Sequence, residues 1–173
     1  SLFYKKDNFL KRGDEVIVPA ISWSTTYYPL QQYGLKLKFV DIDKETLNFK
    51  LSSLEKAITS KTKLIFAVNV LGNSNEFEEI NRMIEKKNII LLEDNCESLG
   101  AKYKERYTGT FGLMGTNSFF FSHHISTMEG GMITTDDEEL YQILLSLRAH
   151  GWTRNLPKTN HITGTKSNFP FEE

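Results

Sequence analysis

The sequence has one cysteine, no long apolar run and almost no net charge, and each scarcity removes a class of protein. Cys96 alone cannot form an internal disulfide, which fits a reducing, cytoplasmic setting. One cysteine and four histidines without paired Cys spacing make no zinc framework, so no metal site is expected. No apolar run approaches the roughly 20 residues that span a bilayer. The first ten residues mix charges with aromatics, which is not a signal-peptide pattern. A formal net charge of -1 argues against nucleic acid or a membrane surface held by bulk electrostatics. Repeats and low-complexity segments are missing as well.

What is present is ordinary globular composition, with 39% hydrophobic and 25% charged residues. A length of 173 residues suffices for one domain with a sizeable core. Both ends read as cut. Leu2 to Leu10 resembles the tail of a helix already under way, and Pro170-Phe171-Glu172-Glu173 stops without a closing element. A fragment of a longer polypeptide is therefore expected.

Short apolar runs alternate with helical patterns. Glu15 to Pro19 predicts a strand ended by its proline. Ser22 or Ser24 is a candidate cap for a helix carrying Trp23, Tyr27, Leu30 and Tyr33. Strands are expected at Leu35 to Val40, Lys63 to Asn69, Asn88 to Leu92, Asn117 to Phe121 and Gly130 to Thr134. Ser52 to Glu55 and Thr135 to Glu138 read as capping boxes, and Gly72 to Asn75 as a loop and cap before a helix over Phe77 to Ile84. The last helix holds Leu140, Ile143, Leu144 and Leu147 on one face. This alternation predicts an α/β fold, with a mostly parallel central sheet and helices on both faces.

In such a fold chemistry collects where strands end. One apolar run ends in Glu93-Asp94, and another leads into His123-His124. Asp94, just past a buried strand, suits pairing with a protonated ring nitrogen, or equally a cap for Cys96 and Glu97. Glu97 lies three residues on and shares its face if a helical turn begins there. On a strand His123 and His124 point to opposite faces, so one of them can face a crevice. Ser118, Ser122, Ser126 and Thr127 are hydroxyl donors suited to a phosphate, or ordinary strand and turn composition. Trp23 can stack on a flat ring or pack in the core. His150, Trp152 and Arg154 can meet an anionic ligand or simply sit on an exposed loop.

Taken in order, the motifs resemble the sugar aminotransferase and dehydratase family of fold-type-I pyridoxal phosphate enzymes (DegT/DnrJ/EryC-like). They are Glu15 to Ala20, Glu93 to Ala101, Gly109-Thr110-Phe111-Gly112, Ser118 to His123, Glu129-Gly130-Gly131 and Leu147 to Gly151. In that family a lysine six residues before Glu-Gly-Gly forms the Schiff base with the cofactor; here the position is His123. Imidazole forms no stable imine, but it moves protons near neutral pH. The resemblance thus points to the sugar 3-dehydratase branch, whose pattern includes the His-His pair.

The resemblance implies a pyridoxal 5'-phosphate and pyridoxamine 5'-phosphate enzyme that removes the 3-hydroxyl of a nucleotide-linked 4-keto-6-deoxy sugar. Glutamate would be the amino donor and deoxysugar synthesis of the colitose, O-antigen type the setting. His123 would be the catalytic base, Asp94 would pair with the pyridine nitrogen, Trp23 would stack on the ring, Ser118 would bind the phosphate and Glu97 would lie near the cofactor. His150 and Arg154 would contact substrate. Residues 1–155 would belong to the cofactor-binding large domain, and 156–173 would lead towards a C-terminal domain. The family's phosphate-binding helix start would precede Ser1, and a homodimer would complete each site. A related iron–sulfur dehydration needs several cysteines, against the single Cys96. Two other readings stand beside this one: a nucleotide-sugar aminotransferase served by another lysine, and an inactive segment that binds cofactor or sugar nucleotide weakly.

Overall fold

A computed structural model describes residues 2, 4, 5 and 10–165. The expected helix tail before Leu10 lies largely outside the described residues, as does everything after Thr165. Two compact units are formed, one by residues 11–134 and the other by the described residues of 1–10 and 135–165.

The larger unit is built on six strands. They are β1 (Glu15–Pro19), β2 (Lys36–Val40), β3 (Thr62–Val68), β4 (Ile90–Asp94), β7 (Met114–Ser118) and β8 (Gly131–Thr134). A short hairpin of β5 (Lys102–Tyr103) and β6 (Arg106–Tyr107) stands apart from them. The spatial order is β2-β1-β3-β4-β7-β8. The first five strands are parallel, and only the β7–β8 pairing is antiparallel. The mostly parallel α/β sheet expected from the sequence is therefore present.

Continuous apolar runs suit strands covered on both faces, and Val16, Ile17 and Val18 are each fully buried. Helices α2 (Leu51–Ala57) and α3 (Phe77–Ile84) turn Leu54, Phe77 and Ile80 onto Ile17, Ile65 and Leu91 in one core cluster. Helix α1 (Ser24–Gln32) reaches the other face, where Thr26 Oγ1 donates to the Asp94 carboxylate at 2.7 Å. The Phe77 ring also stacks on Phe111 at 4.3 Å between centroids, which ties α3 to the loop after the hairpin.

Several boundaries differ from the expectation, each for a physical reason. Strand β4 runs to Asp94, so both acids belong to the strand rather than to the loop after it. Strand β7 ends at Ser118, and the apolar run Phe119 to Phe121 that suggested a strand leaves the sheet. The sheet instead uses small residues there: a Cβ on Gly115 would stand 2.2 Å from the Gly109 carbonyl oxygen. The N-cap of α1 is Trp23 without a side-chain cap bond, while Ser22 Oγ meets Thr26 Oγ1 at 2.6 Å. Ser52 to Glu55 lie within or beyond the first turn of α2, whose N-cap is Lys50. Asn75 does not cap α3; its amide donates to the Val68 carbonyl at 2.8 Å and to Asn69 Oδ1 at 3.1 Å.

In the second unit α4 (Glu138–Arg148) starts from Asp137, whose carboxylate accepts the Leu140 N–H at 2.9 Å. Lys5 Nζ reaches Asp137 at 2.9 Å and Glu139 at 2.8 Å. Strands β9 (Thr159–Asn160) and β10 (Gly164–Thr165) form a small antiparallel pair, and the Gln142 amide oxygen accepts the His161 N–H at 2.7 Å. Among the described residues no helix is long and apolar enough to cross a membrane, and no group of three or more His, Cys, Asp or Glu can hold a metal.

Glu93 is fully buried. Its carboxylate accepts the Gly109 N–H at 2.6 Å, the Phe111 N–H, the Gly112 N–H at 2.8 Å and the Asn69 amide at 3.2 Å. Replacing it by glutamine turns an amide donor towards backbone donors. Glu93→Gln is expected to cost about 2–3 kcal/mol, read as a lowered urea midpoint of the full-length protein.

The Asp137 carboxyl is held below the ordinary aspartate range. Burial pushes it up, but the Leu140 N–H and the Lys5 ammonium outweigh burial. A lowered carboxyl stabilises the fold above the ordinary aspartate range and loses that contribution as pH falls below it. Asp137→Ala is expected to cost about 1 kcal/mol at pH 7, and the difference from wild type should shrink in unfolding curves as pH falls below the ordinary aspartate range.

Candidate active site

A cleft of about 810 Å³ opens in the larger unit. Its lining joins the carboxyl ends of β4 and β7 to the start of α1 and to the turns after β3 and β7. Trp23, Asp94, Glu97, Ser118 and His123, all singled out from the sequence, line this one cleft.

Each is placed by local structure. Asp94 and Glu93 are neighbours on a strand, so their side chains point to opposite faces. Glu93 is consumed in the core, and Asp94 faces the cleft. Asp94 Oδ2 accepts from Thr26 Oγ1, and Oδ1 accepts the Cys96 N–H at 3.2 Å. Both bonds fix the carboxylate, and each oxygen keeps a lone pair. The bond to Cys96 is the capping role considered from the sequence, except that a turn follows β4 and not a helix. Capping and facing the cleft are both true of this residue.

Trp23 is 73% exposed, which sets aside a core role and leaves its ring free at the cleft. Ser118 ends β7, and its Oγ accepts the Phe120 N–H at 3.2 Å, leaving the hydroxyl proton to donate outward. Glu97 is exposed and accepts the Leu71 N–H at 3.3 Å. Leu71 itself has left-handed backbone, φ 51° and ψ 36°, which is uncommon for a leucine. Ser98 steadies the same turn by donating to the Asn69 carbonyl at 2.6 Å and accepting the Gly72 N–H at 2.9 Å.

The two histidines do not alternate along a strand, because β7 has already ended. His123 sits in a turn, its N–H bonded to the Phe120 carbonyl at 3.0 Å, half-buried in the cleft lining. His124 is exposed and outside that lining. Among the described residues no lysine lines the cleft. His150 and Arg154 belong to the other unit, where both are exposed and the Arg154 guanidinium lies 4.1 Å from the Trp152 ring centre.

Thr26, Cys96 and Glu129 were not among the site residues expected from the sequence. Thr26 lies three residues after Trp23 on α1, a spacing that marks it as a neighbour. Glu129 lines the cleft beside Gly130. The Cys96 thiol is pushed up to about 12, first by burial and then by the Asp94 charge and its hydrogen bond. It is therefore protonated at neutral pH, and no nucleophilic role follows. In full-length apoprotein Cys96 should react with iodoacetamide at pH 8 at least about tenfold more slowly than a free thiol. Asp94→Asn should speed the reaction by removing the charge, measured as the rate of alkylation by intact mass.

The residues 6–170 match the DegT/DnrJ/EryC1/StrS aminotransferase family. The chain is 66% identical over all 173 residues to a GDP-4-keto-6-deoxy-D-mannose 3-dehydratase of Yersinia pseudotuberculosis, of which it spans 44%. A solved GDP-4-keto-6-deoxymannose-3-dehydratase variant with bound GDP-perosamine is 65% identical, with a TM-score of 0.97 over 99% of this chain and 45% of that one. A second structure of the dehydratase, with a trapped PLP-glutamate geminal diamine, has the same TM-score of 0.97, identity of 65% and coverage of 99% and 45%. This chain thus spans less than half the length of the relatives it matches. On the extent of the match and the shared fold, the chain belongs to the DegT/DnrJ/EryC1/StrS aminotransferase family.

Proposed function

We propose that the full-length protein carrying this chain is a pyridoxamine phosphate-dependent 3-dehydratase of a nucleotide-linked 4-keto-6-deoxy sugar, with glutamate as amino donor. The observation that carries this reading is the cleft lining itself, which presents His123 and no lysine among the described residues. The similarity to dehydratases named for GDP-4-keto-6-deoxymannose supports GDP as the nucleotide. Deoxysugar biosynthesis of the O-antigen type, a cytoplasmic location and a homodimer belong to the same proposal.

The lining fits the cofactor by its donor set. An exposed indole ring, a fixed carboxylate and a hydroxyl free to donate match a flat ring, a basic ring nitrogen and a phosphate. When bound, the cofactor supplies an electron sink for carbon–hydrogen cleavage beside its amine nitrogen. Asp94 would hold the proton on the ring nitrogen, its carboxylate fixed by Thr26 and the Cys96 N–H. Trp23 would cover one face of the ring, and Ser118 would donate to the phosphate. His123 would take a proton at one imidazole nitrogen and return it. Imidazole forms no stable imine with an aldehyde, so His123 would leave the cofactor untethered and would act only as a proton carrier. His150 and Arg154 are assigned to substrate contact, and residues 1–155 to the cofactor-binding large domain.

An aminotransferase reading requires a lysine from outside this lining. The two readings part in the product. Full-length protein given glutamate and a GDP-4-keto-6-deoxy sugar should release a sugar that has lost its 3-hydroxyl, identified by mass spectrometry. An aminated sugar as the main product would sink the dehydratase reading. His123→Asn should slow dehydration by about 10²–10⁴-fold while cofactor affinity, measured by titration, stays close to wild type.

A further inference from the structure

Three asparagines stand in one row across the carboxyl edge of the sheet. The last registered pairs at this edge are Val68 with Asp94 and Asp94 with Thr116. One residue further along each strand come Asn69, Asn95 and Asn117, and the row continues through side chains. Asn69 Nδ2 donates to Asn95 Oδ1 at 3.3 Å, and Asn95 Nδ2 donates to Asn117 Oδ1 at 2.9 Å. At its outer end Asn69 Oδ1 accepts the Asn75 N–H and amide, both at 3.1 Å, and Asn69 Nδ2 also reaches Glu93. All three residues are buried.

Backbone pairing between β4 and β7 spans only three registered residues. Past it, the Asn95 N–H still bonds the Thr116 carbonyl at 2.8 Å, and the Asn95–Asn117 amide bridge is the next crosslink. Asp94 precedes Asn95, and Ser118 follows Asn117. Alternation along each strand turns Asp94 and Ser118 away from the row, and both line the cleft. The row therefore lies directly behind the two groups assigned to the ring nitrogen and the phosphate.

We infer that Asn95 and Asn117, braced by Asn69, are positioning residues that set the spacing between Asp94 and Ser118 for a ligand that must reach both. The inference rests on the proposed cofactor reading of the cleft. A ligand that reaches both sites depends on their spacing, and one that reaches only Asp94 does not. Buried amide networks are suited to this role because a satisfied network is rigid and a broken one leaves unpaired groups.

The test uses full-length apoprotein and two probes, pyridoxal phosphate and pyridoxal, the second lacking the phosphate. Asn117→Leu removes the acceptor at similar volume and should weaken pyridoxal phosphate roughly tenfold, with pyridoxal within about twofold of wild type. Asn117→Asp retains an acceptor oxygen for the Asn95 amide and should recover most of the loss. If Asn117→Leu does not fold, Asn117→Ser supplies the same comparison, since its hydroxyl is too short to reach Asn95. A parallel loss for both probes, or no loss for either, overturns the positioning role. Wild-type protein that binds neither probe overturns the cofactor reading, and this inference falls with it.

Discussion

A buried carboxylate at the end of the fourth strand is the constraint on which the larger unit depends. Glu93 has no access to water, so its charge must be satisfied by the protein or the strand cannot lie where it does. Three backbone N–H groups of the Gly109–Gly112 loop and the Asn69 amide do this. The loop can come so close only because it lacks side chains at the contact: a Cβ on Gly112 would stand 2.5 Å from the Leu91 carbonyl oxygen. Satisfying Glu93 thus brings the loop down onto β4 and leads the chain into β7 beside it.

The site follows from that arrangement by alternation. With Glu93 turned into the core, Asp94 must face the opposite side, where Thr26 of α1 waits for it. With β7 placed beside β4, Ser118 ends on the same side, and the chain leaves the sheet as an exposed aromatic turn. That turn carries His123 into the cleft. Phe121, 65% exposed, lies on the same lining, so the apolar run that looked like strand sequence is surface at the cleft. The buried Asn row and Ser98 secure the strand ends and turns beneath this surface, with backbone and side-chain groups exchanging hydrogen bonds in place of water.

Much of this was legible in the sequence because periodicity reports burial directly. Val16 to Val18 and Leu64 to Val68 are apolar on both faces, which only a covered parallel strand tolerates. The five residues that meet in the cleft were readable from their places at strand and helix ends, and from the resemblance carried by the whole series of motifs. What escaped the reading shares one physical cause: nothing local marks a polar residue as buried until its partner is known. Asn69, Asn95 and Asn117 are far apart in the chain and have no period. Glu93 was seen as half of an acidic pair, and nothing local distinguishes the buried member from the exposed one. Caps failed in the same way. Serines at Ser22 and Ser52 sit near helix starts, but tertiary contacts moved those starts by a residue or two. Strand β7 was displaced because small residues, with little hydrophobic signal, fit the close approach of the Gly109 backbone.

A cleft lined by His123 and, among the described residues, by no lysine offers an aldehyde cofactor no covalent tether. Reduction of full-length protein loaded with pyridoxal phosphate, using borohydride, followed by intact mass measurement, addresses it most directly. The protein mass should be unchanged, and dialysis should remove the cofactor. A mass increase equal to one reduced cofactor per chain would contradict it, by showing that a lysine elsewhere in the protein reaches the site.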